Sequence, residues 1–157
     1  MEDTTHGETV GGFPFHVCEE TVVLRLQGEM IRGGTSKCWI FDHHDVVATG
    51  VDVDALLLAA FNAADPRQID GVGGASSTTS KAAVVQASTQ AGVDVEYAFA
   101  QVGIGDERVE WASNCGNCAT AVALYAVHHD LVPITSDTTT VRMLNVNTGA
   151  RLTGTIP

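Results

Sequence analysis

Lysine is almost missing. Among 157 residues only Lys37 and Lys81 carry an amine side chain, and the other six positive residues are arginines. Against 19 acidic residues these eight leave a formal net charge of −11, which repels phosphate backbones and anionic headgroups and argues against nucleic-acid and membrane partners. A Lys-poor, acid-rich surface suits a protein kept hydrated at high salt, a halophilic-type pattern. In that setting a retained lysine marks a place where an amine is required, so Lys37 and Lys81 become candidates. Long apolar runs are also missing: no stretch approaches the roughly 20 residues of a membrane span. The opening MEDTTHGETVGG has neither the basic nor the apolar region of a secretion signal. The expected compartment is the cytoplasm. Cysteine is sparse, and Cys18, Cys38, Cys115 and Cys118 are too irregularly spaced for a secreted disulfide framework. With 45% apolar and only 17% charged residues the chain is not disordered, and its length suits one domain with its own core.

Residues 1–19, rich in Gly, Thr and acid, read as a flexible leader or a loosely attached first strand. TVVLRLQ from Thr21 and KCWIF from Lys37 read as strands flanking a loop around Arg32-Gly33-Gly34. VDALLLAAFNAA, from Val53 to Ala64, is a helical run with Asp52 or Asp54 as cap and Pro66 beyond its end. A small-residue loop, RQIDGVGGASSTTS, then leads into the strands KAAVVQAS, VDVEYAFAQVG and ERVEW. CATAVALYAVHHDLV is helical with almost no polar face before His128, so it has to be buried. TTTVRMLNV and ARLTGTI form two last strands joined at Asn147-Thr148-Gly149. The expected fold class is α+β, a curved, mostly antiparallel sheet wrapped around a central apolar helix.

Asn114-Cys115-Gly116-Asn117 opens that helix, which places a thiol and unpaired backbone N–H groups at the positive end of the dipole. One reading is a carboxylate site with a thiol of lowered pKa. The other is an ordinary cap from Asn114 or Asn117, with Cys115 as a small buried apolar residue. Cys115 and Cys118 also make a single CxxC, but without a second ligand pair or a βαβ context this supports neither zinc nor dithiol redox chemistry. The loop from Gly71 to Ser80 followed by Lys81 lacks the GxxxxGK[ST] order of a nucleotide-binding loop. It offers instead backbone donors, hydroxyls and one amine, which suit an oxygen-rich anion. Arg32-Gly33-Gly34-Thr35-Ser36-Lys37 is a similar setting, with a guanidinium able to grip a carboxylate. Taken singly, each loop equally fits a Gly-rich turn with a solvated lysine. The pairs His43-His44 and His128-His129 read as helix-end or turn residues, since neighbours on a helix point about 100° apart and do not share an ion easily. No metal is expected.

MIRGGTSK, DPRQIDGVGGASSTTSK, QV and NCGN follow one another in an order that resembles the 2-methylaconitate cis–trans isomerase family, called PrpF-type, over residues 29 to 132. The resemblance implies a diaminopimelate epimerase-like fold of two similar domains, of which residues 20–157 would be the N-terminal one, the second being absent. It places the active-site lysine on Lys81 and the active-site cysteine on Cys115. Around the substrate carboxylates it places Arg32, Thr35, Ser36, Gly73, Gly74, Ser76, Ser77, Asn114, Gly116 and Asn117. The implied reaction is a cofactor-free allylic proton shift in an unsaturated di- or tricarboxylate such as 2-methylaconitate, in propionate metabolism. A neutral Lys81 would serve as base, and Cys115 would return the proton or position the substrate. The competing expectation is a non-catalytic half that binds carboxylates or associates with a second domain, a complementary chain or a second copy.

Overall fold

The computed structural model describes residues 24–157. Its elements are β1 (Glu29–Arg32), β2 (Lys37–Asp42), α1 (His43–Ala48), α2 (Val53–Phe61), β3 (Lys81–Ala87), β4 (Val95–Val102), β5 (Val109–Glu110), α3 (Gly116–His128), β6 (Thr139–Asn145) and β7 (Arg151–Ile156). One seven-stranded sheet runs β1-β2-β3-β4-β6-β7, with β5 paired to β4 at the side. Four of its six pairings are antiparallel, and β2–β3 and β4–β6 are parallel.

Alternation on β4 sorts the two faces. Val95, Tyr97 and Phe99 point toward α3, whereas Ala100 and Val102 point toward α1 and α2. The strand KAAVV of β3 does not alternate in hydrophobicity because both of its faces are covered: Ala83 and Val85 belong to the α3 side, Ala82 and Val84 to the other. The central helix α3 packs against β1, β2, β3, β4, β6 and β7, so the sheet curls around it as expected. Only the stripe Gly116, Thr120, Leu124 and His128 is exposed along it. Its alanines let the strands come close: a Cβ at Gly154 would lie 2.6 Å from the Ala123 Cβ.

Two local expectations change. The strand expected in TVVLRLQ is irregular over 24–28, and β1 begins only at Glu29; residues 21–23 lie outside the described residues, as does the leader of 1–19. The register pairs Glu29 with Ile40, so residues 24–27 would have to pair with 42–45. There the partner has already turned into α1, whose cap is the Asp42 carboxylate accepting from His44 N. The helix expected to Ala64 stops at Phe61, because Asn62 takes the left-handed conformation, φ 51°, that closes it. Asp52 is its cap. No helix among the described residues is long and apolar enough to cross a membrane.

Candidate active site

Three loops meet at one end of the sheet. The β1–β2 turn lies on the first turn of α3, where a Cβ on Gly33 would sit 1.8 Å from the Asn117 carbonyl oxygen. A glycine is therefore required there for contact. Asn117 Nδ2 donates to Ser36 Oγ at 3.4 Å, and Ser36 is only 5% exposed. Lys37 N donates to the Thr78 carbonyl at 3.0 Å, and Trp39 Nε1 to that of Val72 at 3.1 Å, which binds the glycine-serine loop to the start of β2.

That loop is built around one side chain the sequence did not single out. Gln68 is buried, with φ 55°; its Nε2 donates to the Gly103 carbonyl at 2.7 Å, and its Oε1 accepts from Ala75 N and Ser80 Oγ. Gly73 lies against it so closely that a Cβ would be 2.0 Å from Oε1. Gly74 has φ 90°, a left-handed value that an L side chain tolerates poorly. Ser76 Oγ is bonded to Thr78 Oγ1 and to Thr78 N, so it shapes the loop, while Ser77 is exposed. The N–H groups of Gly74, Ser76 and Ser77 meet no acceptor among the described residues.

Lys81 is the first residue of β3 and half-buried. Its Nζ donates to Gln101 Oε1 and lies 5.0 Å from the centre of the Phe99 ring. Gln101 is held in that orientation because its Nε2 donates to the Ser80 carbonyl at 2.8 Å. Asn114 is also fixed: its Oδ1 accepts from Tyr97 Oη at 3.1 Å, from Asn145 Nδ2 at 3.1 Å and from Cys115 N at 2.8 Å. The sequence reading gives Gln101, which stands in the QV motif, no role and does not take Tyr97 or Asn145 as site residues, although polar groups inside strand patterns are the signal that would find them.

Cys115 is the N-cap of α3, with no side-chain cap bond, so neither asparagine caps the helix. The N–H groups of Gly116 and Asn117 are left without an acceptor among the described residues. The expected lowering of the thiol is reversed. A hydrogen bond with Cys118 and then burial push the Cys115 thiol far above its ordinary range, while the Cys118 N–H and the Lys81 charge pull more weakly the other way. For Cys118 the bond from Cys115 lowers most, but Cys38 and burial together push it up to about 12. The three thiols are free. Cys115 is therefore held as a protonated thiol, with Lys81 near it.

Arg32 is only partly engaged. Its Nη1 donates to the carbonyls of Thr35 at 2.9 Å and Gly34 at 3.5 Å, closing its own exposed turn. Thr35 is exposed beside it. A groove elsewhere, along Leu26, Trp39, Phe41, Leu56, Val72 and Tyr125, includes neither Lys81 nor Cys115.

The histidine pairs also have places. His43 opens α1 with His44 in its first turn, and His128 ends α3 while His129 caps it. His128 and His129 nonetheless converge on one carboxylate, that of Glu29, because His129 has left the helical conformation (φ −101°, ψ 20°).

The chain is 43% identical over 133 residues to a 4-oxalomesaconate tautomerase of Pseudomonas putida, covering 85% of this chain and 37% of that protein. It is 37% identical over 144 residues to a 2-methyl-aconitate isomerase of Cupriavidus necator, covering 85% and 36%. Its structure superposes on that of a methylitaconate-delta-isomerase with a TM-score of 0.75 at 36% identity, covering 83% of this chain and 34% of the other. The chain thus spans about a third of the length of the curated relatives it matches. The model of the PrpF protein family matches residues 23–157, and with this fold and these loops the chain belongs to that family.

Proposed function

We propose that this end of the sheet is the lysine–thiol side of an isomerase site, which moves a carbon–carbon double bond within an unsaturated di- or tricarboxylate without a cofactor. The observation that carries the reading is that Lys81 lies near enough for its charge to reach the Cys115 thiol, at a helix start whose first N–H groups are unused. In its neutral form the Lys81 amine takes a proton from the allylic carbon, and the electron pair shifts toward the substrate carboxylate. Amides of Gly116 and Asn117, at the positive end of α3, stabilise the charge that develops there. The Cys115 S–H bond then breaks and its proton goes to the far carbon of the shifted double bond. The ammonium of Lys81 returns its proton to the Cys115 sulfur, and both groups are restored.

The remaining carboxylates fall to the free N–H groups of Gly74, Ser76 and Ser77, to Thr35 and Ser36, and to the Nε and Nη2 of Arg32. Gly73 and Asn114 act by holding the loop and the helix start in shape. Gln101 orients the lysine amine. Residues 20–157 form the first domain of a two-domain isomerase in this reading, as coverage of about a third of each relative suggests. A second domain, or another copy of the chain, would close the cleft over Lys81 and exclude water. The names of the relatives favour 2-methylaconitate, oxalomesaconate and methylitaconate as the substrates to try first.

Proton NMR in D2O with that panel tests the reading on the 157-residue chain. Deuterium entering an allylic carbon with the native chain and not with Lys81→Ala is the expected result. Exchange that survives Lys81→Ala overturns catalysis by these residues, and no exchange from the folded native chain overturns catalysis by this half alone.

A further inference from the structure

At the far end of α3 from Cys115, roughly 20 Å along the helix, His128 Nδ1 lies 3.1 Å from Glu29 Oε1 and His129 Nε2 lies 2.9 Å from Glu29 Oε2. The three ligand atoms are all within 4.8 Å of one another. The His129 ring is stacked on Tyr125 at 4.0 Å between centroids and meets His128 edge-on at 5.5 Å, so neither imidazole is free to swing at random. Two more carboxylates, Asp42 and Asp45, line the same groove as Glu29 and His129, and no lysine or arginine lines it. Two imidazoles and a carboxylate inside an acidic rim are the donor set of a borderline divalent ion. An all-oxygen site would instead suit magnesium or calcium.

We propose that Glu29, His128 and His129 form a zinc-class divalent metal site. Metal bonds of about 2.0–2.2 Å at tetrahedral angles place ligand atoms about 3.3 Å apart, so the two contacts with Glu29 have to open by only a few tenths of an ångström, and the imidazole nitrogens, within 4.8 Å of each other, lie in reach of one ion. The ion replaces the protons now shared between the imidazoles and Glu29, and solvent supplies the fourth ligand. Its effect is to tie the edge strand β1 to the C-terminal end of α3. The other end of that strand is already tied, since Gly33 sits on the Asn117 carbonyl. The site therefore fixes the second end of the strand-helix pair and takes no part in the isomerase reading.

Calorimetric titration of the 157-residue chain with Zn2+ and Mg2+, at mildly alkaline pH where an ordinary imidazole is neutral, tests this. The visible spectrum of the Co2+ form identifies the ligands. One zinc equivalent binds and magnesium does not. The cobalt spectrum shows ligand-field bands without thiolate charge transfer, and histidine and amide NMR signals move at residues 29, 128 and 129. Affinity falls more than about tenfold in Glu29→Gln and further in the His128→Asn, His129→Asn double variant, because losing even an outer partner costs about 10–100-fold. These side chains are partly exposed, so the variants should keep the native circular dichroism. Absence of zinc binding, thiolate bands in the cobalt spectrum, or unchanged affinity in the variants overturns the site. None of these outcomes bears on the exchange assay.

Discussion

Cys115 sits where a helix start would favour a thiolate, yet its immediate neighbours act more strongly. The dipole contributes a partial charge spread over several amides, whereas Cys118 bonds the sulfur directly and burial withdraws water from the charged form. The sign is therefore upward, and the chemistry changes with it: a protonated thiol donates, while a thiolate attacks or accepts. We expect Cys115 to be alkylated by iodoacetamide more than about tenfold slower than a free thiol at about pH 8, where only the thiolate reacts. Its rate should still be rising past about pH 10, where an ordinary thiol has levelled off. Peptide mass mapping of the labelled chain gives the rate for this residue. A rate faster than the free thiol would restore the activated reading and remove Cys115 as the proton donor. Residue scale is also where the sequence was most informative. Scarcity of lysine marked Lys37 and Lys81 alike without any coordinates, the family resemblance chose Lys81 between them, and the glycine-serine loop marked its neighbours. The roles of Gln101 and Gln68 could not be found that way, because their partners, Lys81 and the Ser80 hydroxyl, are 20 and 12 residues away: the first pair meets only once the β3–β4 register is set, the second only once the loop folds back on itself.

At the scale of elements, what was legible followed from local pattern, and what was not followed from pairing. α3 and β4 announce themselves by composition and alternation, since one is buried nearly all round and the other has two distinct faces. TVVLRLQ has strand chemistry too, but its partner residues are committed to α1, and tertiary context overrides propensity. The same dependence on a neighbour makes Gly33 a test of how β1 is docked. Its missing Cβ would overlap the Asn117 carbonyl at 1.8 Å and approach Ala121 N at 2.8 Å, both of them backbone atoms of α3 that cannot step aside. Gly33→Ala should destabilise the chain by about 1–3 kcal/mol, read as a lower midpoint in urea with an unchanged slope. Gly116→Ala is the contrast. Nothing lies within 4 Å of its would-be Cβ and it stands in the first turn of α3, so stability should hold or rise by a few tenths of a kcal/mol. Equal effects at the two glycines would mean that the turn does not rest on the helix in solution.

For the whole molecule the governing quantity is the charge of −11 and how unevenly it is relieved. Arg67, Arg108 and Arg142 are each spent on a nearby carboxylate, Asp65, Asp106 and Asp94. Glu96 is satisfied differently, by Ser88, Gln86 and Gln90, which hold its carboxyl below the usual range without supplying any positive charge. Three of the eight cationic residues, Arg32, Lys37 and Lys81, gather instead at the candidate site. The molecule is thus arranged with a cationic end, suited to a polycarboxylate, on a body of unbalanced acid. Two effects of salt then compete. Screening weakens surface ion pairs worth about 0–1 kcal/mol each, and it also weakens the repulsion among the excess carboxylates, which grows with the square of the net charge and extends over a Debye length of about 10 Å at 0.1 M against 3 Å at 1 M. With 19 acidic residues against eight basic ones the second effect is the larger. The melting temperature should therefore climb by several degrees between about 0.05 M and 1 M potassium chloride, chloride being chosen over sulfate so that the general strengthening of apolar burial does not mimic screening. A flat or falling melting temperature would show that the local pairs hold the fold and that the acidic surface carries no electrostatic strain for salt to relieve.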